Sequence, residues 1–310
     1  MIPATGRRRD RQESPVIVLG GARSGTSLLY KALCMHSQAA WISNWVARYP
    51  WAPALSVLNR GAMRMASTQR AVWFGGGAEA YVYGKKRRWQ ERVFPMPVEG
   101  DRVYDRCGTP EHADVVEAAR LDPTIARLRS AFRTIRSFSG GELLVTKRIA
   151  NNFRIPLLLA AFPEARFVDI TRDGRAVAYS LSRVDWWLDS EIWWAGTTPR
   201  QWAASGYDGW ELCARNWVEE VKAIRSGLES VPADQVMSLR YEELTDDPVA
   251  VLQAVAQFAG FAKSTEWERR LLDLRFDGRN DSWRRALAGK DIEVIERVQG
   301  DELRRLQYVS

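Results

Sequence analysis

Three short stretches of this chain gather residue types that can hold phosphate-like anions. Residues 20–27 read GGARSGTS, a G-x-x-x-x-G-T-S pattern placed directly after the apolar run VIVL and before an apolar-periodic segment. A glycine-rich turn between a strand and a helix offers backbone N–H groups and the positive end of a helix dipole, which together cradle an anion. One position departs from the nucleotide-triphosphatase loop, because Thr26 stands where the phosphate-bridging lysine would be. Arg23, three positions earlier, can instead turn a guanidinium fork onto a terminal oxyanion from inside the turn. In residues 162–181, FPEARFVDITRDGRAVAYSL, Arg172 leaves the end of an apolar run and Ser180 follows two turns into the next helix. Both can then reach a single phosphate at that helix start. The third stretch, residues 144–152 (LVTKRIANN), puts Lys147 at another strand end. Two separated anion sites on neighbouring strand ends suit a ligand phosphorylated at both ends.

These residues need a frame. Four apolar runs, 16–19, 143–146, 167–171 and 236–240, have the length and continuity of strands buried on both faces. Each is followed by a helical pattern, over 26–35, 155–161, 175–183 and 248–259, the last with Asp246 and Asp247 placed to cap and Pro248 in the first turn. Strand alternating with helix predicts an α/β fold with a doubly wound parallel sheet flanked by helices. Two segments break the rhythm. Residues 39–141 read mostly helical, for example over 111–120 and 122–137, with a glycine-rich break at 75–77; residues 184–209 carry Trp186, Trp187, Trp193, Trp194 and Trp202. We expect these insertions to face the substrate and Trp186, Trp187, Trp193 and Trp194 to form an aromatic wall for it. The expected organisation is a disordered basic tail over 1–14 and one domain over 15–310.

Composition narrows the chemistry. With 46% apolar residues, 14 tryptophans and 27% charged residues, the chain has the makings of a packed core. Its 45 basic residues exceed its 38 acidic ones by seven, which suits an anionic ligand or surface. No window approaches the roughly 18 consecutive apolar residues of a membrane span, and the first residues contain no apolar signal core, so a soluble, cytoplasmic protein is expected. Three scattered cysteines and two histidines exclude a C-x-x-C metal or redox frame and make a histidine relay hard to assemble. The chemistry must rest on arginine, lysine and carboxylates.

ARSGTSLL resembles the R-S-G-T-[ST]-L loop of the sulfotransferases that use 3′-phosphoadenosine 5′-phosphosulfate (PAPS), a family with a P-loop-type sheet that includes bacterial and tyrosylprotein-type enzymes. The resemblance implies that Arg23, Ser24, Gly25, Thr26 and Ser27 hold the 5′-phosphosulfate. It implies that Arg172 and Ser180 hold the 3′-phosphate, because F-P-x-A-[RK]-F followed by R-D-x-R is the family's 3′-phosphate segment. Lys147 precedes Arg172 by 25 positions, the family spacing of a strand-end lysine that contacts the bridging or sulfuryl oxygens. LRYEEL is similar to the family's Y-E-x-L element and brings in Tyr241; NDSWRR stands where the family has a nucleotide-closing loop and brings in Ser282, Trp283 and Arg284. The resemblance covers the sheet and its loops, about half of the chain, and leaves 39–141 unexplained.

The implied reaction is sulfuryl transfer to a hydroxyl or amine of a small-molecule, glycan or lipid acceptor. The product is 3′,5′-diphosphoadenosine, Arg23 and Lys147 stabilise the leaving phosphate, and no metal is required. The base departs from the family pattern. The interval at which the tyrosylprotein type carries a glutamate lands here on Ser43 and Asn44, and the histidine of the cytosolic type is replaced by Lys147. The candidates are Glu99, favoured because Pro95 and Pro97 stiffen its loop, together with Asp101, Asp105, His112 and Asp185. Three other readings stand beside this one: a P-loop nucleotide kinase, a nucleotide-binding sulfotransferase fold without turnover, and a nucleic-acid binder using Arg7–Arg11 and KKRRW (Arg88, Trp89). The first reading expects no nucleic-acid partner and leaves oligomeric state open.

Overall fold

The computed structural model describes residues 15–75, 89–274, 276, 278 and 280–309. The basic tail 1–14, glycines 76 and 77, and residues 85–88 of KKRRW lie outside the described residues. Among the described residues five strands form one parallel sheet: β1 (Val16–Leu19), β2 (Ala39–Trp41), β3 (Leu143–Lys147), β4 (Arg166–Thr171) and β5 (Val236–Arg240), in the spatial order β2-β3-β1-β4-β5. The register sets Val18 opposite Lys147 on one side of β1 and Leu19 opposite Asp169 on the other.

Alternation along each strand divides the core. Val16, Val18, Val145, Val168 and Ile170 pack to one face with Trp41, Trp73 and the buried side of the helix Thr26–Cys34. Ile17, Leu19, Leu144 and Phe167 pack to the other with Phe132, Leu158 and Ile224. Period-two alternation with both faces covered is why these runs are apolar throughout rather than apolar on one side.

The chain leaves β1 for the β2–β3 side and then crosses to the β4–β5 side, so the central strands carry the switch in winding direction. Such a sheet opens a crevice at the carboxyl ends of its central strands. The loops after β1, β3 and β4 all emerge there.

Four strands and their helices match the sequence expectation closely, with helices observed at Thr26–Cys34, Ile155–Ala161, Gly174–Leu181 and Pro248–Ala259. Asp247 supplies the expected cap to the last of these by accepting from the Ala250 N–H, whereas Asp246 ends the preceding helix. The segment 39–141 differs at its start, where Ala39–Trp41 is an edge strand rather than part of a helical insertion. Three residues are too few to carry a periodic signal. The strand is fixed by tertiary approach instead, because a Cβ on Gly141 would lie 2.4 Å from the Ala39 carbonyl carbon. The helix expected over 111–120 shrinks to Val115–Ala118, while that over 122–137 runs through Asp122–Ser139.

Gly141→Ala should therefore destabilise the protein by about 1–3 kcal/mol, the usual cost of overpacking against backbone that cannot yield. Gly61→Ala, in the helix Asn59–Arg64 with nothing within 4 Å of the added methyl, should be neutral or stabilising by up to about 1 kcal/mol. Urea midpoints of the two variants check the pair; equal midpoints would contradict the edge-strand contact.

Candidate active site

A cleft of about 1190 Å³ opens at the carboxyl ends of the central strands. Arg23, Gly25, Thr26 and Ser27 after β1, Lys147 at the end of β3, Arg172 and Ser180 after β4, and Tyr241 after β5 all line it. The structure thus brings most of the sequence-derived residues to one place. Among the described residues seven cationic side chains line the cleft (Arg23, Arg48, Arg92, Arg102, Lys147, Arg172, Arg183) against three carboxylates (Glu91, Glu99, Asp101), an excess of four positive charges. An anion entering it is attracted from every side.

The loop after β1 is wound tightly. Arg23 adopts a left-handed backbone with φ 69°, a conformation that costs energy for a residue with a side chain and has to be held by its surroundings. Three contacts hold it. The Ser24 N–H donates to the Gly21 carbonyl at 3.1 Å, Arg23 Nε donates to Ser180 Oγ at 2.9 Å, and Arg172 Nη1 donates to the Arg23 carbonyl at 3.0 Å. Gly25, with φ 89°, begins the helix Thr26–Cys34 without a side-chain cap and with no acidic residue in the first turn. An uncapped, uncontested helix N-terminus is what an anionic group needs, so the residues fit a phosphate-bearing ligand.

Arg172 is buried, and its guanidinium lies 4.3 Å over the Tyr241 ring while Nε donates to Asn280 Oδ1 at 3.1 Å. Burial lowers its pKa from the ordinary arginine value; Tyr241 and Glu242 counter this, and the Arg23 charge adds to the lowering. The Tyr241 ring reaches the loop itself, because a Cβ on Gly25 would lie 2.4 Å from Tyr241 Cδ2. Gly25 is thus required twice, for its backbone angle and for this ring. Trp217, at the floor, donates from Nε1 to the Arg172 carbonyl at 3.2 Å.

On the opposite side Lys147, buried, donates from Nζ to Glu99 Oε1 at 2.5 Å, and the Ile149 N–H donates to Glu99 Oε2 at 3.2 Å. Glu99 is carried there by residues 96–98 running antiparallel to 42–44: the Val98 N–H donates to the Ile42 carbonyl and the Asn44 N–H to the Met96 carbonyl. Gly100, with φ 72°, turns the chain directly after it, where a Cβ would meet Ile42 Cγ2 at 2.7 Å. Asn44 pins the same segment, donating from Nδ2 to the Glu91 and Phe94 carbonyls and accepting at Oδ1 from the Met96 N–H. The interval that resembles a glutamate position in the tyrosylprotein type therefore holds residues that position another carboxylate, since buried Ser43 forms an antiparallel bridge with Pro97 and caps the Val46 N–H.

Several expectations are corrected by position. Among the other base candidates Asp101 lines the cleft but pairs with Arg148 Nε at 2.6 Å. Asp105 lies 3.6 Å from Arg148 Nη1, and His112 packs between Phe153 and Trp193; neither lines the cleft, nor does Asp185. Of the four tryptophans expected in a wall, Trp186 alone does. Trp187 is buried in the core, Trp193 stacks 4.2 Å from Phe153, and Trp194 donates to Asn216 Oδ1, because these rings cover the helix Gly209–Leu228 and its neighbours. Ser282 lines the cleft, whereas Trp283 is buried beneath the Arg175 guanidinium and Arg284 pairs with Asp281 at the surface. Ser24 is buried and closes the turn rather than lining the cleft.

Two supports escaped sequence reasoning. Asn152 grips both backbone groups of Gly20, accepting its N–H at Oδ1 (3.2 Å) and donating from Nδ2 to its carbonyl (3.0 Å). Glu220, buried, accepts from the Ala22 N–H at 2.7 Å and from Asn216 Nδ2 at 3.2 Å. Burial pushes the Glu220 carboxyl up to about 7. A signal was present, since Glu220 falls on the stripe Cys213, Trp217, Val221, Ile224 that the helix Gly209–Leu228 buries.

Comparison with known proteins identifies the family and the fold. A family model described as the sulfotransferase family matches residues 15–265. The omega-hydroxy-beta-dihydromenaquinone-9 sulfotransferases Stf3 of Mycobacterium bovis and Mycobacterium tuberculosis are each 23% identical to this chain over 268 residues, 80% of this chain and 63% of theirs. The chain therefore spans less than two thirds of the length of these relatives. Among solved structures, sulfotransferase STF9 from Mycobacterium avium superposes with a TM-score of 0.58 at 16% identity, over 97% of this chain and 79% of that one. Sulfotransferase STF1 from Mycobacterium tuberculosis H37Rv gives a TM-score of 0.55 at 16% identity, over 96% of this chain and 80% of that one. The fold is shared.

An acid whose folded pKa exceeds its unfolded value contributes stability that is present below the unfolded pKa and lost as pH rises through the folded one. For Glu220 the window runs from its ordinary 4.5 to about 7. Glu220→Gln keeps an acceptor for the Ala22 N–H, so it should match wild type below this window and gain on it above, by roughly 3 kcal/mol at full ionisation. Chemical denaturation of both proteins across the window checks it, and a difference independent of pH would refute it.

Proposed function

Since the chain belongs to the sulfotransferase family, we propose that the cleft binds PAPS and transfers its sulfuryl group to a hydroxyl or amine of a small-molecule or lipid acceptor. The observation that carries this reading is that Arg23 and Arg172, from adjacent strand ends, line one cleft and are linked by the Arg172 Nη1 hydrogen bond to the Arg23 carbonyl, two cations available to a ligand that is anionic at both ends of a ribose.

In this reading the donor supplies an SO₃ group already bonded to a good leaving phosphate. Thr26, Ser27 and the start of their helix orient the 5′ end. Arg172 and Ser180 hold the 3′-phosphate, with Tyr241 backing the Arg172 guanidinium. Arg23 and Lys147 neutralise charge on the phosphate oxygen as the S–O bond to it breaks. Glu99 takes the acceptor proton as the new acceptor O–S or N–S bond forms. The Lys147–Glu99 ion pair places the leaving-group cation and the proton acceptor on one spot, with the acceptor entering from the insertion side. The Stf3 relatives are named for a hydroxylated menaquinone derivative, which supports a hydroxyl on an amphiphilic molecule as the acceptor group.

Isothermal titration should find tight binding of 3′,5′-diphosphoadenosine, with ATP–magnesium and single-stranded DNA weaker. Arg23→Ala and Arg172→Ala should each weaken the diphosphonucleoside about ten- to a hundredfold, the worth of a charged hydrogen bond. Preference for ATP–magnesium would favour a kinase instead.

Glu99→Gln should lower kcat about a hundred- to ten-thousandfold in a sulfuryl-transfer screen over phenols, glycans and hydroxylated lipids, while nucleotide affinity is retained. Unchanged kcat would assign the proton to another group. Wild-type binding of diphosphonucleoside without transfer to any acceptor class would favour a fold that holds nucleotide without turnover.

A further inference from the structure

The lips of the cleft carry large apolar side chains that nothing in the reaction uses. One lip joins the helices Asn44–Arg48 and Trp89–Val93: Trp45 Nε1 donates to the Val93 carbonyl at 2.7 Å, and Arg48 Nη2 donates to the Arg92 carbonyl at 3.2 Å. On this lip Trp51 is 63% exposed, Trp89 71% and Val93 53%. Trp89 and Val93 are four residues apart on one helix and share a face. Trp51 continues an aromatic ladder, edge-on to Tyr49 at 5.5 Å, which stacks on Trp45. The other lip is the turn Asp185–Asp189, where Trp186 and Leu188 are each 46% exposed and Trp186 also lines the cleft.

Scattered exposed apolar residues are ordinary, but a group of aromatic and aliphatic side chains on segments that line one opening is not. Both signs occur beside them, with Glu91 between Trp89 and Val93 and with Asp185 and Asp189, the latter paired with Arg200, flanking Trp186 and Leu188, but among the described residues that line the cleft basic groups exceed acidic ones by four. Arg48 and Arg92 lie on the first lip, Arg183 beside the second, and Arg102 between them along the cleft, all exposed at the surface. Tryptophan with arginine at its edge suits the headgroup layer of a bilayer, where the ring sits at the boundary and the guanidinium meets lipid phosphate. Nucleic acid would use the tryptophans and arginines but gains nothing from Val93 and Leu188, which have no flat face to stack on a base.

We propose that the mouth of the cleft docks on an anionic lipid surface, inserting Trp51, Trp89 and Val93 from one lip and Trp186 and Leu188 from the other while the arginines pair with lipid phosphates. So seated, the cleft opens toward the layer in which an amphiphilic molecule carries its polar head, and its apolar part need never cross water. Docking is read without donor or acceptor, so its outcome stands apart from that of the transfer assay.

The test is co-sedimentation of the full chain with vesicles of phosphatidylcholine alone and of equimolar phosphatidylcholine and phosphatidylglycerol, at low and high salt. Wild type should bind the mixed vesicles, bind the neutral ones much more weakly, and be released by salt. Trp89→Ser combined with Val93→Ser should weaken binding on the order of tenfold or more, with an unchanged melting temperature because both side chains are exposed. Arg92→Glu should cost on the order of tenfold. Leu272→Ser, which alters a 72% exposed side chain away from the cleft, should bind as wild type. Vesicle binding that survives the Trp89/Val93 change, or that Leu272→Ser reduces equally, overturns the proposal. So does equal affinity for neutral vesicles, or capture by single-stranded DNA that the same lip substitutions abolish.

Discussion

The whole site depends on keeping two guanidiniums close together at the ends of β1 and β4. Arg172 donates to the backbone carbonyl of Arg23, which ties the two residues together. Like charges this near raise each other's energy, and the Arg23 charge does act to lower the Arg172 pKa. The protein tolerates this through a tyrosine ring under one guanidinium and a serine hydroxyl accepting from the other. Both devices orient a cation before an anion arrives, so the geometry is already set. That is preorganisation for an anion, bought from packing elsewhere in the fold.

The packing that supports it lies beneath the loop. Asn152 closes both backbone groups of Gly20, and Glu220 takes the Ala22 N–H, so the turn leaves β1 with its polar groups already partnered on the protein side. A carboxylate under an anion-binding loop is at first sight a poor choice. Its burial resolves the conflict: with the Glu220 carboxyl pushed up to about 7, much of it is protonated near neutral pH and repels a bound phosphate less than an ordinary glutamate would. Arg23 can keep its left-handed backbone because these contacts, with Ser24 and Arg172, determine the loop from below and from the side.

What the sequence conveyed and what it withheld follow from the range of each interaction. The loop, the strands β1, β3, β4 and β5, and the positions of Arg23, Lys147, Arg172 and Ser180 were legible because local pattern carries them: strand, turn and helix in succession, with cations at strand ends. Strand β2 was not, since its pairing is set by a bare glycine across the sheet at Gly141 rather than by its own three residues. The supports Asn152 and Glu220 act across 132 and 198 residues, a distance at which only a misplaced polar residue on an apolar stripe gives any warning. The tryptophans misled for the opposite reason. Their density in residues 184–209 was real, but a ring's face is chosen by what packs on it, and Trp187, Trp193 and Trp194 found protein partners.

The cleft is consequently made of two materials. Its sheet side, with Arg23, Lys147, Arg172 and Tyr241, sits on strand ends whose spacing the hydrogen-bonded ladder fixes, so it can change little without unmaking the fold. Its other side, with Asn44, Arg48, Arg92, Glu99 and Trp186, comes from segments outside the sheet, where the Asn44 side chain and two backbone hydrogen bonds between 42–44 and 96–98 hold the part that bears Glu99. Rigid scaffold on one wall and adjustable segments on the other is the arrangement in which a common donor chemistry can be kept while the acceptor changes. Glu99 stands on the seam, because its segment belongs to the other side while its carboxylate is held by Lys147 at the end of β3 and by the Ile149 N–H just after it. The same adjustable segments bear the exposed rings at the mouth.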